Sequence, residues 1–370
     1  MEQTMQISIL REDLLKPLTF VAGVVERRQT LPILSNVLIR LYEGQLSLVG
    51  TDLEVEVIVK TRSAQGTDGE LTVPARKLLD ICRALPAQAK IEIKLDKEKA
   101  VIKSGRSRFT LMVLPASDFP SIEVSQWERS ITLPQKALKS LLEKTQFCMA
   151  QQDVRYYLNG LLLEVGTDKL RAVATDGHRM AMSEAPLATQ NAGDKQVIVP
   201  RKGVQELSRF LESTDDTVEV LLGSNHIRVV FPDLVLTSKL IDGRFPDYNK
   251  VVPQKQTILL KLDRDLFRET LNRAAILSNE KYRGVRFTIA PGTLRVTAHN
   301  PEQEEAQEEL AIDYEGTELD IGFNVTYISD AISALDSTVV EFGLSDPNSS
   351  CTLRSPSEHR YQYVVMPMRL

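Results

Sequence analysis

Cysteine is scarce in this chain. Cys82, Cys148 and Cys351 are an odd number, distant from one another, and form no C-x-x-C. That excludes a disulfide framework and a zinc ribbon, and predicts unpaired, buried thiols in a reducing cytoplasm. Histidine is sparse too: His178, His226, His299 and His359 are too scattered for metal-ligand spacing. No nucleophile motif or phosphate-cradling glycine loop occurs, so neither a cofactor nor a metal is expected. Long apolar runs are absent as well. The stretch Phe20 to Val25 is about a third of a membrane span, which excludes a membrane partner. Near the N-terminus Glu2, Arg11, Glu12 and Asp13 interrupt what a signal peptide would need to keep apolar. Finally, there is no basic excess. The net charge is −5, whereas proteins that grip nucleic acid through its phosphates are usually basic. Taken alone, this balance argues against DNA, so the location of the charges has to decide.

What the chain has is repetition, at a period of about 124 residues, far beyond that of a solenoid. VGTDLEVE from Val49 recurs as VATDGHRM from Val173 and faintly as TAHNPEQE from Thr297. LTVPARKLLDICRAL from Leu71 recurs as VIVPRKGVQELSRFL from Val197 and IGFNVTYISDAISAL from Ile321. The ends rhyme also: FTLMVLPASDFP from Phe109, LTSKLIDGRFP from Leu236, YVVMPMRL from Tyr363. Three diverged copies suit a curved or closed wall better than a single catalytic site. Domain boundaries are expected at 1–128, 129–252 and 253–370, with linkers near Ser125 to Arg129 and Val252 to Gln256.

Each copy opens with a strand and an amphipathic helix. Leu14, Leu18, Val21 and Val25, then Leu138, Leu141, Leu142 and Cys148, then Leu266, Phe267, Leu271 and Ala274 are spaced helically. Pro17 marks a kink or the early turns of the first helix. Hairpins follow, turning at Glu43-Gly44, Gly166-Thr167-Asp168 and Pro291-Gly292. A second helix comes about sixty residues after the first and leads into further strands. The fold class is therefore α+β: each repeat is two βαβββ halves, with two helices against antiparallel sheets.

The six predicted helices carry about +5 between them, so the remainder of the −5 chain carries about −10. Helices facing one way would make a mildly positive lining, suited to sliding on DNA rather than holding it. Ordinary solvated helix faces would give the same sum. Six helices packed side by side enclose a hole of roughly 7 Å, and twelve enclose roughly 24 Å, enough for a duplex. Two chains can surround DNA where one cannot, and closed two-fold symmetry is the commonest way to complete such a ring.

The strings QDVRYYLNG from Gln152, ATDGHRM from Ala174, VIVPRKGV from Val197, SKLIDGRFPDY from Ser238, AILSNEKYRGVR from Ala275, NPEQEEA from Asn300 and the terminal YVVMPMRL carry a full-length resemblance. The chain resembles the bacterial DNA polymerase III beta subunit, the replicative sliding clamp. That family implies three similar clamp domains per chain and a head-to-tail homodimeric ring around duplex DNA, read without regard to sequence. It implies a processivity factor rather than an enzyme. Partners would be the replicative polymerase's catalytic subunit, the clamp loader and repair proteins, held through short peptide motifs.

By position, the resemblance implies a partner groove of Leu158, Thr175, Gly177, His178, Arg179, Met180, Pro246, Lys250, Val251, Asn324, Tyr327, Asn348, Val364, Met366, Pro367, Met368 and Arg369. Lys250 and Asn348 depart from the family pattern of an arginine and an aliphatic residue. Lysine keeps the charge but loses the planar fork. The Met, Val, Pro and Tyr content suits short peptides with Leu or Phe anchors, although YVVMPM is equally readable as a core edge strand. DNA contacts carried over are Arg28, Gln152, Tyr156 and Tyr157, with Arg201 and Lys202 added on charge. A Tyr-Tyr pair more often packs inside a hairpin. The seam between chains would set Lys77, Arg106 and Arg108 against Glu302, Glu304, Glu305 and Glu308, around Phe109, Leu111, Ile276 and Leu277. Such pairing sets which ends meet more than how tightly.

Two other functions compete. Asp176 and His178 could serve acid–base chemistry, but no other catalytic group accompanies them. A three-domain scaffold that never touches DNA would share the repeats. Retention on circular against linear DNA separates both from a clamp.

Overall fold

The computed structural model describes residues 5–25, 31–124, 126–188 and 194–369. In the first repeat β1 (Gln6–Leu10) enters helix α1 (Arg11–Val24), followed by β2 (Asn36–Tyr42), β3 (Gln45–Thr51), β4 (Val55–Thr61) and the short β5 (Gln65–Thr67). Its second half is β6 (Gly69–Pro74), α2 (Ala75–Ala84), β7 (Lys90–Asp96), β8 (Lys99–Ser104) and β9 (Ser107–Met112). The second repeat gives β10 (Arg129–Pro134), α3 (Gln135–Glu143), β11 (Gly160–Val165), β12 (Lys169–Thr175) and β13 (Arg179–Pro186). It continues with β14 (Lys195–Pro200), α4 (Arg201–Phe210), β15 (Thr217–Leu222), β16 (His226–Val230) and β17 (Leu234–Lys239). The third gives β18 (Ile258–Asp263), α5 (Arg264–Ala275), β19 (Gly284–Ala290), β20 (Thr293–His299) and β21 (Glu305–Ala311). It ends with β22 (Leu319–Asn324), α6 (Val325–Ser333), β23 (Val339–Leu344), β24 (Cys351–Arg354) and β25 (Tyr361–Val365). Each repeat is thus βαβββ taken twice, as the periodicity predicts, with β5 as an addition to the first.

The hairpins turn where their residues permit. Glu43 and Gly44 both take positive φ, 50° and 74°, the geometry that lets a two-residue loop follow the twist of β2 and β3. Pro291-Gly292 joins β19 to β20 with Gly292 at φ 74°.

Compact packing divides the chain into two units that cut across the three repeats. The first comprises Met1–Gln135 and Gln205–Leu240. Its larger sheet runs β10-β15-β16-β17-β4-β3-β2-β6, its smaller one β5-β1-β7-β8-β9. The larger sheet is continuous because β17 pairs antiparallel with β4, Leu234 opposite Val59 and Ser238 opposite Val55. Helix α1 buries Leu14, Leu18 and Val21, each at most 1% exposed. Pro17 lies within this helix rather than at its first turn, so the Asp13 carbonyl loses the usual i→i−4 donor. Beneath the helix, a Cβ at Gly50 of β3 would fall 2.5 Å from Val21 Cγ1 and 2.9 Å from its carbonyl oxygen. Only glycine allows this approach.

The second unit comprises Lys136–Val204 and Ile241–Leu370. Its larger sheet runs β14-β11-β12-β13-β25-β24-β23-β18 and its smaller β21-β20-β19-β22. Here β25 joins β13, Met180 opposite Val364. Phe267, Phe287, Phe323 and Phe342 fill the third-repeat core with ring centroids 5.6 to 6.2 Å apart, mostly edge-on as aromatic quadrupoles prefer. Asp263 caps α5 by accepting the Leu266 N–H at 2.9 Å. Among the described residues no helix is long and apolar enough to cross a membrane.

Candidate functional site

The predicted groove residues belong to the second unit, and the pairing of β13 with β25 brings Met180 opposite Val364 and the tail beside His178. Met180 and Val364 are cross-strand partners. They enter one buried cluster with Leu162, Val173, Ile198, Phe245 and Tyr248. Leu158 is buried as well. The segment after Phe245 packs Tyr248 into this floor and leaves Pro246 and Val251 exposed above it. Tyr248 is pinned there, its hydroxyl donating to Glu164 at 2.6 Å and accepting from Arg171 at 2.5 Å. Met366 is 42% exposed, so apolar side chains stand in water over an apolar floor.

The tail is held at two points. The Met366 N–H donates to the His178 carbonyl and the Met368 N–H to the Gly322 carbonyl, both at 2.9 Å. Met368 and Arg369 line a cleft of 310 Å³ with Asn279, Tyr282, Gly284 and His299. Thr175, Gly177 and His178 form the turn between β12 and β13. Gly177 has φ 88°, a conformation that L side chains rarely adopt. Asp176 Oδ1 accepts the N–H groups of His178 and Arg179 at 2.9 and 3.0 Å. The carboxylate is therefore a turn builder, and the Asp176–His178 acid–base pair has no geometric basis.

Arg179 is the most constrained member. Its side chain is 12% exposed, with Nε 3.1 Å from Asp176 Oδ2 and Nη1 2.5 Å from Asp330 Oδ2. Its Nη2 donates to the Phe147 carbonyl at 2.9 Å. The guanidinium lies 4.4 Å from the Tyr327 ring centre, close enough for a cation–π contact, and His178 stacks on the same ring at 6.4 Å. Burial, with the Asp176 carboxylate nearby, pushes the Tyr327 hydroxyl above its ordinary pKa. Asn324 is chiefly a cap: its Oδ1 accepts the N–H groups of Thr326 and Tyr327 at the start of α6. Lys250 is 81% exposed and pairs with Asp247 at 3.5 Å, and Asn348 is exposed with its N–H bonded to Asp346. Sequence reasoning missed Phe147 and Asp330. The i,i+3 spacing of Tyr327 and Asp330 on α6 is the signal that could have found the second.

Of the predicted DNA contacts, Arg28 lies outside the described residues. Gln152 is exposed with φ 55°. The tyrosines divide: Tyr156 is 57% exposed, whereas Tyr157 packs against the groove floor. They meet edge-on at 5.8 Å in a 3-10 turn, not a hairpin. Arg201 Nη1 donates to the Met149 carbonyl at 3.1 Å, and Lys202 also has an interaction partner within the chain.

The predicted seam residues fall on α2, on β9 and the turn before it, just after α5, and on β21 and the loop before it. In the first unit β9 is an outermost strand, carrying exposed Arg108, half-buried Phe109 and buried Leu111. Arg106 is exposed in the turn before it, and Lys77 is exposed on α2. In the second unit β21 is outermost. Ile276 is 75% exposed, and it lines a 500 Å³ cleft with Leu277, Glu302 and Glu304. The acidic residues are partly engaged within the chain. Glu308 pairs with Arg273 at 2.8 Å, Glu304 accepts from Asn300 Nδ2 at 2.5 Å, and Glu305 lies 3.7 Å from His299.

Comparison with known proteins covers nearly the whole chain. Residues 5–123, 132–247 and 249–369 match the family models of the N-terminal, central and C-terminal domains of the DNA polymerase III beta subunit. The beta sliding clamp of Pseudomonas putida is 53% identical over 367 residues, covering 99% of this chain and 100% of that protein. That of Escherichia coli K12 is 50% identical with the same coverage. The crystal structure of the DNA polymerase III subunit beta from Pseudomonas aeruginosa superposes with a TM-score of 0.96 at 51% identity, covering 99% of this chain and 100% of that one.

Proposed function

The chain belongs to the DNA polymerase III beta subunit family, and from that premise we propose that it is a sliding clamp whose two copies close head to tail around duplex DNA. It is an accessory processivity factor and not an enzyme. The three repeats are its clamp domains, with proposed boundaries at 1–128, 129–252 and 253–370, and its place of work is the cytoplasm.

The observation that carries the ring is the pair of unmatched sheet edges. Where repeats adjoin within a unit, four strands of one meet four of the next to make eight. Left over are β1, β7, β8 and β9, bordered by short β5, and the sheet β21-β20-β19-β22. Pairing β9 of one copy with β21 of another restores the eight-stranded pattern and satisfies two open edges, which are otherwise a liability. Arg106 and Arg108 on one side and Glu304, Glu305 and Glu308 on the other favour this pairing over either edge meeting itself. Phe109, Leu111, Ile276 and Leu277 form its apolar centre. Two such seams close a two-fold ring.

Tyr156, Gln152, Arg28, Arg201 and Lys202 supply light contacts with the duplex backbone, and encirclement supplies the retention. The groove of Met180, Val364, Pro246, Val251, Tyr327 and Met366 tethers the replicative polymerase, the loader and repair proteins through short apolar peptides. The test is retention on nicked circular DNA after loading. The ring should remain bound in salt that abolishes phosphate-driven binding, and cutting the circle should release it. Equal retention on circular and linear DNA would overturn encirclement.

A further inference from the structure

We infer that Asp330 is a positioning residue that sets the charge selectivity of the groove by keeping Arg179 neutralised in its wall; this rests on the groove reading above. Arg179 lies over the Tyr327 ring, and each of its three guanidinium nitrogens already has a partner. Asp176 holds Nε, the Phe147 carbonyl holds Nη2 and Asp330 holds Nη1. Asp176 cannot replace Asp330, because its other oxygen is committed to the turn N–H groups of His178 and Arg179. Asp330 reaches Nη1 from a separate element, α6, one helical turn beyond Tyr327.

Two consequences follow from this geometry. The guanidinium is held over the Tyr327 ring at 4.4 Å, the ring against which His178 stacks. The positive charge is also answered from within by two carboxylates, so a ligand carboxylate meets a guanidinium whose charge is already balanced. The groove then selects apolar anchors and gains nothing from an acidic neighbour. Without the Asp330 charge, Asp176 still pairs with Nε, but Nη1 loses its acceptor and the wall loses one negative charge, so a ligand carboxylate is repelled less and can take the vacated place. Asp330 itself need not touch the peptide.

The experiment uses the full chain and two fluorescent peptides with Leu and Phe anchors, identical except for Glu or Gln beside the anchors. Anisotropy titrations give the ratio of their affinities. Asp330→Asn should weaken the Gln peptide and shift the ratio toward the Glu peptide by about five-fold, the scale of one partly exposed charge pair. High salt should remove the shift. Asp330→Glu should restore the original ratio, and Asp330→Ser should repeat the Asn result on a second background. A loss of general structure would weaken both peptides equally, so an unchanged ratio in Asn and Ser variants that melt like the parent overturns the inference. If the parent binds neither peptide, the groove reading itself fails and takes this inference with it.

Discussion

Glu56 on β4 is 3% exposed, an unusual fate for a carboxylate. Its Oε2 accepts the Ile122 N–H at 3.2 Å. Burial raises its pKa above the ordinary 4.5, against the opposing pull of that hydrogen bond, Arg228 and Arg40. A raised folded-state value means that the folded chain holds this proton more tightly than the unfolded chain. Its contribution to stability is full below about pH 4.5 and is lost as pH rises through the raised value. Toward neutral pH the fold therefore loses this contribution, which a neutral side chain of the same shape would keep. Glu56→Gln keeps an acceptor for Ile122 and removes the charge. Thermal melts should show a higher Tm than the parent at pH 7 and little or no gain at pH 4; a lower Tm at pH 7 would contradict the assignment. The thiols behave differently. Burial pushes Cys82 up to about 12 and raises Cys148 and Cys351 also, so all three stay protonated and unreactive.

Among the elements, the C-terminal tail is the one whose proposed role can be tested apart from the fold. It is anchored through the backbone at His178 and Gly322, but the apolar floor beneath it comes from β13, β25 and the segment around Tyr248. Truncation after Val365 removes Met366, Pro367, Met368 and Arg369 while keeping β25 and its pairing with β13. Peptide affinity should fall about thirty-fold or more, the cost of losing an interface hot spot of about 2 kcal/mol. Sedimentation should still report dimers, because neither Ile276 nor the edge strands β9 and β21 is touched. Unchanged peptide affinity would remove the tail from the groove.

For the whole molecule, the decisive feature is that β9 and β21 are outermost strands of the two smaller sheets. Ile276 is 75% exposed, so truncating it costs the isolated chain little packing. In a closed ring Ile276 and Leu277 would be covered, and losing both would cost about 4 kcal/mol at each seam. The double variant Ile276→Ala with Leu277→Ala should sediment as monomer at concentrations where the parent is dimeric, and its melting transition should lose the parent's dependence on protein concentration. A variant that remains dimeric with the parent's affinity would place the seam elsewhere.

Much of this was legible in the sequence because it is local. Helical spacing of Leu14, Leu18 and Val21, and turns such as Glu43-Gly44, are determined by steric and apolar patterning within a few residues. The repeat then gave the doubled βαβββ plan, and the strings around Ala174 and Tyr363 pointed to the groove. Tertiary structure alone decided which edges meet. Backbone N–H and C=O groups are the same at every residue but proline, so nothing in the local pattern says that β17 joins β4, or that β25 joins β13, and the compact units cut across the repeats. The same holds for side chains whose partners are remote. Tyr157 turns to the floor while Tyr156 stays outside, Glu308 is met by Arg273, and Asp330 reaches Arg179 across 151 positions of chain. A charge in sequence shows only that a partner is needed, and which partner it finds depends on how the sheets bring distant segments within 3 Å.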